Sequence, residues 1–109
     1  MPDFKKRYIK EWELMRNTFP EFKSYARPPM FGWEGHIESP WTGRRYFVRL
    51  ESSESTYPRE KPHVHITPRF GPNWLSNGAL CIDEVWRPAF NSFASLLLRI
   101  FKYMEKWRA

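Results

Sequence analysis

Cys81 is the side chain in this sequence best equipped to form and release a covalent acyl bond at neutral pH. A thiolate attacks a carbonyl carbon, and leaves it again, far more readily than an alkoxide does. It is the only cysteine, so neither an intrachain disulfide nor a multi-cysteine metal cage can form, and a reducing compartment is expected. Without its surroundings, a lone cysteine reads first as a small buried hydrophobe. Asn73 stands eight residues earlier, directly after Pro72, where an asparagine also suits a turn. Asp83 follows two residues after Cys81, and a carboxylate facing the thiol would raise its pKa. His63 and His65 share one face of a short strand but have no third ligand at a recognisable spacing, so no metal and no cofactor is expected. His36 is isolated, and no nucleophile elbow of a serine hydrolase occurs.

The elements that must position these residues are legible in the hydrophobic pattern. From Asp3 to about Phe19, Phe4, Tyr8, Trp12, Met15 and Phe19 recur at steps of three and four, which predicts an amphipathic helix stopped by Pro20. Lys5, Lys6, Arg7, Lys10 and Arg16 fall on its other faces. After Arg27-Pro28-Pro29, alternation from Phe31 to Ile37 predicts a strand. A turn at Ser39-Pro40-Trp41-Thr42-Gly43 then leads into a second strand, Arg45 to Leu50. A further short strand, His63 to Thr67, completes an antiparallel meander of three to four strands. Residues from Pro68 to Pro88 show little periodicity and form a long loop, the kind of segment that carries function in a compact domain. A last helix begins near Asn91 or Ser92 and buries Phe93, Leu96, Leu97, Ile100, Phe101, Met104 and Trp107.

With 109 residues the chain makes one α+β domain, residues 1–109, large enough for a single core. Ten prolines argue against an all-helical bundle. The formal net charge of +6 is compatible with an acidic protein partner, nucleic acid or a soluble basic surface. No recognition motif for nucleic acid accompanies it, and the aromatic residues follow core periodicity, so a nucleic-acid-binding domain is the weakest of these readings. The N-terminus lacks the apolar stretch of a secretory signal and no segment suits a membrane span, which makes a cytoplasmic location the expectation.

Tyr57-Pro58, Lys61-Pro62, Val64, Asn73, Gly78, Cys81-Ile82-Asp83 and Trp86-Arg87-Pro88-Ala89 follow one another in an order and spacing that resemble the heart of a ubiquitin-conjugating enzyme. In that family a YPxxPP segment leads to a strand, an HPN tripeptide, a glycine, the catalytic cysteine, a W-x-P-A motif and a helix. Trp33-Glu34-Gly35-His36-Ile37 is similar to the family's first strand, so the resemblance covers essentially the whole chain. Three departures stand out. Gly71 replaces the HPN histidine, the segment from Cys81 to Trp86 is short, and no counterpart of the usual C-terminal helices follows the helix after Cys81. A minimal, prokaryotic-type member is the form the resemblance implies.

It also implies roles. Cys81 would carry the C-terminal acyl group of a ubiquitin-like protein, or of a cGAS-like nucleotidyltransferase, as a thioester received from an activating enzyme and passed to an amine. Asn73 would stabilise the loop or donate a hydrogen bond to the tetrahedral oxyanion, and Asp83 is a possible supporting residue that would lower the pKa of an incoming amine or orient Asn73, against the plainer reading of a surface loop acid. Lys5, Lys6, Arg7 and Lys10 lie where such enzymes dock their activating partner, against the plain alternative of a solvated basic face. Trp86 and Pro88 are expected to pack the loop against the final helix rather than touch substrate. The biological setting would be bacterial antiviral defence, in cyclic-oligonucleotide-based antiphage signalling (CBASS) or a ubiquitin-like conjugation operon. The alternative is a catalytically inactive binding module of the same fold. Oligomeric state is left open.

Overall fold

The computed structural model describes residues 2–72, 74–75, 78–80 and 85–109, with side chains from Lys5 onward. Helix α1 (Pro2–Thr18) is followed by strands β1 (Lys23–Arg27), β2 (Met30–Glu38), β3 (Arg45–Ser53) and β4 (His63–Thr67), then by helix α2 (Phe93–Trp107). The four strands form one antiparallel meander in the order β1-β2-β3-β4. This is an α+β fold with a helix at each end of a four-stranded sheet. No helix among the described residues is long and apolar enough to cross a membrane.

Period-two alternation decides the two faces of the sheet. Phe31, Trp33, Ile37, Tyr46, Val48, Leu50, Val64 and Ile66 are buried on one side. Both helices cover that side. Tyr8 of α1 packs its ring 5.7 Å from Phe31 and from Trp33, and Phe93 of α2 sits 4.8 Å from Trp33. On the other side Glu34 pairs across to Arg49 and Arg49 to His65, while Glu51 pairs with His63, giving a polar, half-exposed surface.

Strand β1 completes the sheet, at the upper end of the expected three to four strands. Its five residues, Lys-Ser-Tyr-Ala-Arg, have no apolar alternation and are mostly exposed. Pairing with β2 from Lys23↔Glu34 to Arg27↔Met30 is what holds them extended.

Among the described side chains of α1, the buried stripe differs from the expected one at Trp12, and the Phe4 side chain lies outside the described residues. Trp12 was expected inside and is 41% exposed, with the Arg16 guanidinium 5.1 Å from its ring. Glu11, fully buried, takes the centre between Tyr8 and Met15. Steps of three and four from Tyr8 to Met15 pass through position 11 as naturally as through 12. The carboxylate is tolerated there because every oxygen finds a donor, as described below.

Helix α2 begins where expected. Ser92 caps it, accepting from the Ser95 N–H at 3.0 Å, while the Ser95 hydroxyl accepts from the Ser92 N–H at 2.8 Å. Phe93, Leu96, Leu97, Ile100 and Met104 are buried as the periodicity requires. Phe101 is half-buried, and Trp107, expected inside, is 42% exposed near the helix end.

Candidate active site

Cys81, Asn73 and Asp83 lie outside the described residues. The structure around them forms a frame that enters from β4 and leaves into α2.

On the entry side an aromatic cluster fixes the chain ahead of Asn73. The Phe70 ring lies 5.1 Å from Tyr46 and 5.4 Å from Tyr103. Trp74 donates its indole N–H to the carbonyls of Phe70 and Gly71, both at 3.1 Å, and the Arg69 guanidinium sits 5.1 Å from the Trp74 ring. Gly71 has a φ of +67°, and a Cβ added there would stand 2.6 Å from the Tyr103 hydroxyl and 3.1 Å from Trp107. A histidine at this position would be strained in its backbone and would collide with α2, so the glycine follows from how closely α2 approaches.

Beyond Trp74 the chain turns back on itself. Leu75 N–H donates to the Ala79 carbonyl at 2.8 Å, Trp74 bridges to Leu80, and Leu80 N–H donates to Val64 of β4 at 2.7 Å. Ala79 and Leu80 are buried. The residue immediately before Cys81 is therefore tied to the sheet.

On the exit side Val85 is 74% exposed and Trp86 is anchored. The Trp86 indole N–H donates to the Pro58 carbonyl at 2.7 Å, and its ring lies 6.1 Å from Tyr57. Trp86 thus packs the loop onto the Tyr57-Pro58 segment, where a role against the final helix was expected. A turn follows, in which Phe90 and Asn91 N–H groups donate to the Arg87 carbonyl and the Asn91 side chain accepts from the Arg87 N–H at 2.7 Å.

Beneath this exit lies a polar network that the sequence pattern does not reveal. Glu11 Oε1 accepts the Phe93 N–H at 2.9 Å. Glu11 Oε2 accepts the Arg7 Nε–H at 2.8 Å and the Tyr57 hydroxyl. Arg7 spends its remaining donors on the carbonyls of Pro88 and Asn91, and its guanidinium lies 5.3 Å from the Tyr57 ring. Burial pulls the Arg7 pKa down, but the Glu11 hydrogen bond, together with the charge of Glu11 and the Tyr57 hydroxyl, outweighs it and leaves it raised. Burial, reinforced by Glu11, pushes the Tyr57 hydroxyl well above its ordinary range.

Arg7 therefore leaves the exposed basic cluster to which it was assigned. Lys5, Lys6 and Lys10 are exposed, whereas the Arg7 side chain is 18% exposed and turned inward. The spacing of four between Arg7 and Glu11 puts both on one face of α1, and Glu11 is on the buried side. That spacing was the available signal, together with a glutamate sitting between the core residues Tyr8 and Met15.

His63 is exposed and His65 half-buried on the outer face of β4, and the His36 ring rests 5.2 Å from Phe47. Among the described residues no group of three His, Cys, Asp or Glu could hold a metal ion. No protein-family model matches the chain.

Proposed function

We propose that this chain is a ubiquitin-conjugating-type domain that carries an acyl group as a thioester on Cys81 and passes it to an amine. The observation that supports this most is the convergence of dispersed parts of the motif: Tyr57-Pro58, Trp86 and the start of α2 meet one another. Described residues before and after Cys81 are anchored, Leu80 to β4 and Trp86 to Pro58, and a catalytic residue needs such rigid support.

In this reading the Cys81 thiolate attacks the carbonyl carbon of an activated C-terminal acyl group. The bond to the donor's leaving group breaks and a thioester forms. An amine then attacks the same carbon, the carbon–sulfur bond breaks, the amine gives up a proton, and an amide and the free thiol result. Asn73 supplies an N–H to the oxyanion of that second step, with Asp83 as support. An activating enzyme docks on the exposed lysines Lys5, Lys6 and Lys10. The acyl donor is a ubiquitin-like protein or a cGAS-like nucleotidyltransferase, in the cytoplasm of a cell defending itself against phage.

Gly71 favours a second reading, a binding module of the same fold without transfer activity, because the Tyr103 and Trp107 rings leave no room for a histidine at that position. Intact-mass analysis separates the two. Supplied with a cognate activating enzyme and acyl donor, the wild-type chain gains an adduct that reductant removes, Cys81→Ala gains none, and Cys81→Ser gains one that resists reductant. An adduct that survives Cys81→Ala rejects thioester chemistry at this residue, and a wild type that never charges leaves the binding module.

A further inference from the structure

Arg7 and Glu11 form a largely buried ion pair. Their partners point to more. The Arg7 guanidinium grips the backbone carbonyls of Pro88 and Asn91, 81 and 84 residues away. Those carbonyls bracket the turn through which the chain passes from Cys81 into α2. Glu11 meanwhile accepts the N–H of Phe93, the first residue of α2, 82 residues away. Two side chains one helical turn apart on α1 thus hold the end of the loop and the beginning of the next helix. Backbone carbonyls gripped by a planar fork fix the path of the chain whatever side chains it bears.

We infer that Arg7, held in place by Glu11, is a positioning residue for the segment that leads from Cys81 into α2, and that its grip on that segment governs acyl transfer at the cysteine. This deepens the thioester reading and rests on it for the acyl step alone; the fastening of the loop stands apart from any activity. It also divides the labour on α1. Lys5, Lys6 and Lys10 face outward and govern capture of a partner, while Arg7, in the same turns, governs the geometry of the site.

Amide hydrogen exchange and the reactivity of Cys81, the sole thiol, test this in the intact chain. In Arg7→Ala, amides from 85 to 92 should exchange about tenfold faster or more, while those of β2 and β3 keep their protection. The rate of Cys81 alkylation by iodoacetamide should shift with them. Arg7→Lys keeps a cation for Glu11 but cannot fork onto two carbonyls, so it should show the same selective loosening with less loss of stability. Added methylguanidinium should restore protection to Arg7→Ala. In charging assays Arg7→Lys should lower kcat by on the order of tenfold to a hundredfold with KM nearly unchanged, whereas Lys6→Glu should raise KM with kcat nearly unchanged. Unchanged exchange from 85 to 92 in Arg7→Lys, or a rise spread evenly over the sheet, overturns the proposal. So does an unchanged alkylation rate of Cys81. If the wild type never charges, the acyl reading fails and the exchange and alkylation measurements still decide the role of Arg7.

Discussion

The molecule contains the same trio of residue types twice, once on each side of its sheet. Arg7, Glu11 and Tyr57 meet inside, with the tyrosine hydroxyl donating to the carboxylate and the guanidinium beside the phenol ring. Arg49, Glu51 and Tyr25 meet outside, where the Tyr25 hydroxyl donates to Glu51 at 2.7 Å and the Arg49 guanidinium lies 6.0 Å from the Tyr25 ring. Both tyrosines are pushed up by burial first and by their glutamate second. The difference lies in what else each trio holds. The outer one stays within the sheet, reaching from β1 to β3 across Gly32 of β2, strands whose order the ladder already fixes, and Arg49 turns toward Glu34 at 3.4 Å with both side chains about one-third exposed. The inner one joins α1, the segment after β3 and the entry to α2, and Glu11 is fully buried. Identical chemistry is a surface decoration where water can replace each partner, and a fastening where it cannot.

The largest expected contrast is at the two glutamates. Glu11→Ala strands the Arg7 charge, the Tyr57 hydroxyl and the Phe93 N–H, and should cost about 3–5 kcal/mol in urea unfolding. Glu51→Ala should cost less than about 1 kcal/mol. Equal losses would mean that burial does not separate the two trios. The tyrosine hydroxyls sharpen the contrast on a smaller scale. Tyr57→Phe removes a buried bond to a carboxylate and should lower stability by about 1.5–3 kcal/mol, whereas Tyr25→Phe should stay within about 1 kcal/mol. Denaturant midpoints measured at one pH give both values.

Salt separates the trios without mutation. The Debye length falls from about 10 Å at 0.1 M to about 3 Å at 1 M, so sodium chloride should shrink the stability difference between wild type and Glu51→Ala and leave that of Glu11→Ala nearly intact.

The smallest effect concerns His65, across from Arg49. Its pKa is lowered, chiefly by burial, with Arg49 and His63 adding to the shift and Glu51 opposing it. A proton then binds the unfolded chain more readily than the folded one. The stability associated with neutral His65 is present above the ordinary histidine pKa of about 6.5 and is lost as pH falls through the lower folded value. His65→Gln should flatten that slope slightly, read as unfolding midpoint against pH, and NMR titration should place the His65 midpoint below about 6.5. A steeper slope in His65→Gln would show that another group on the sheet's outer face dominates.

What the sequence determined by itself was whatever depends on near neighbours. Steps of three and four placed both helices, Asn91 or Ser92 marked the start of α2, and alternation separated the two faces of β2 and β3. Order and spacing brought Tyr57-Pro58, Asn73, Cys81 and Trp86 forward as one motif. Tertiary structure decided what depends on residues far along the chain. Strand β1 exists through its ladder with β2, since five mostly polar residues have no reason of their own to be extended. Glu11 displaced Trp12 from the core because donors from Arg7, Tyr57 and Phe93 converge on its carboxylate. Arg7 left the basic surface because two carbonyls more than eighty residues away await it. Gly71 is required by Tyr103 and Trp107 of α2, whose approach no local pattern encodes. A polar or charged side chain goes where its hydrogen bonds can be met, and only the folded chain brings those partners together.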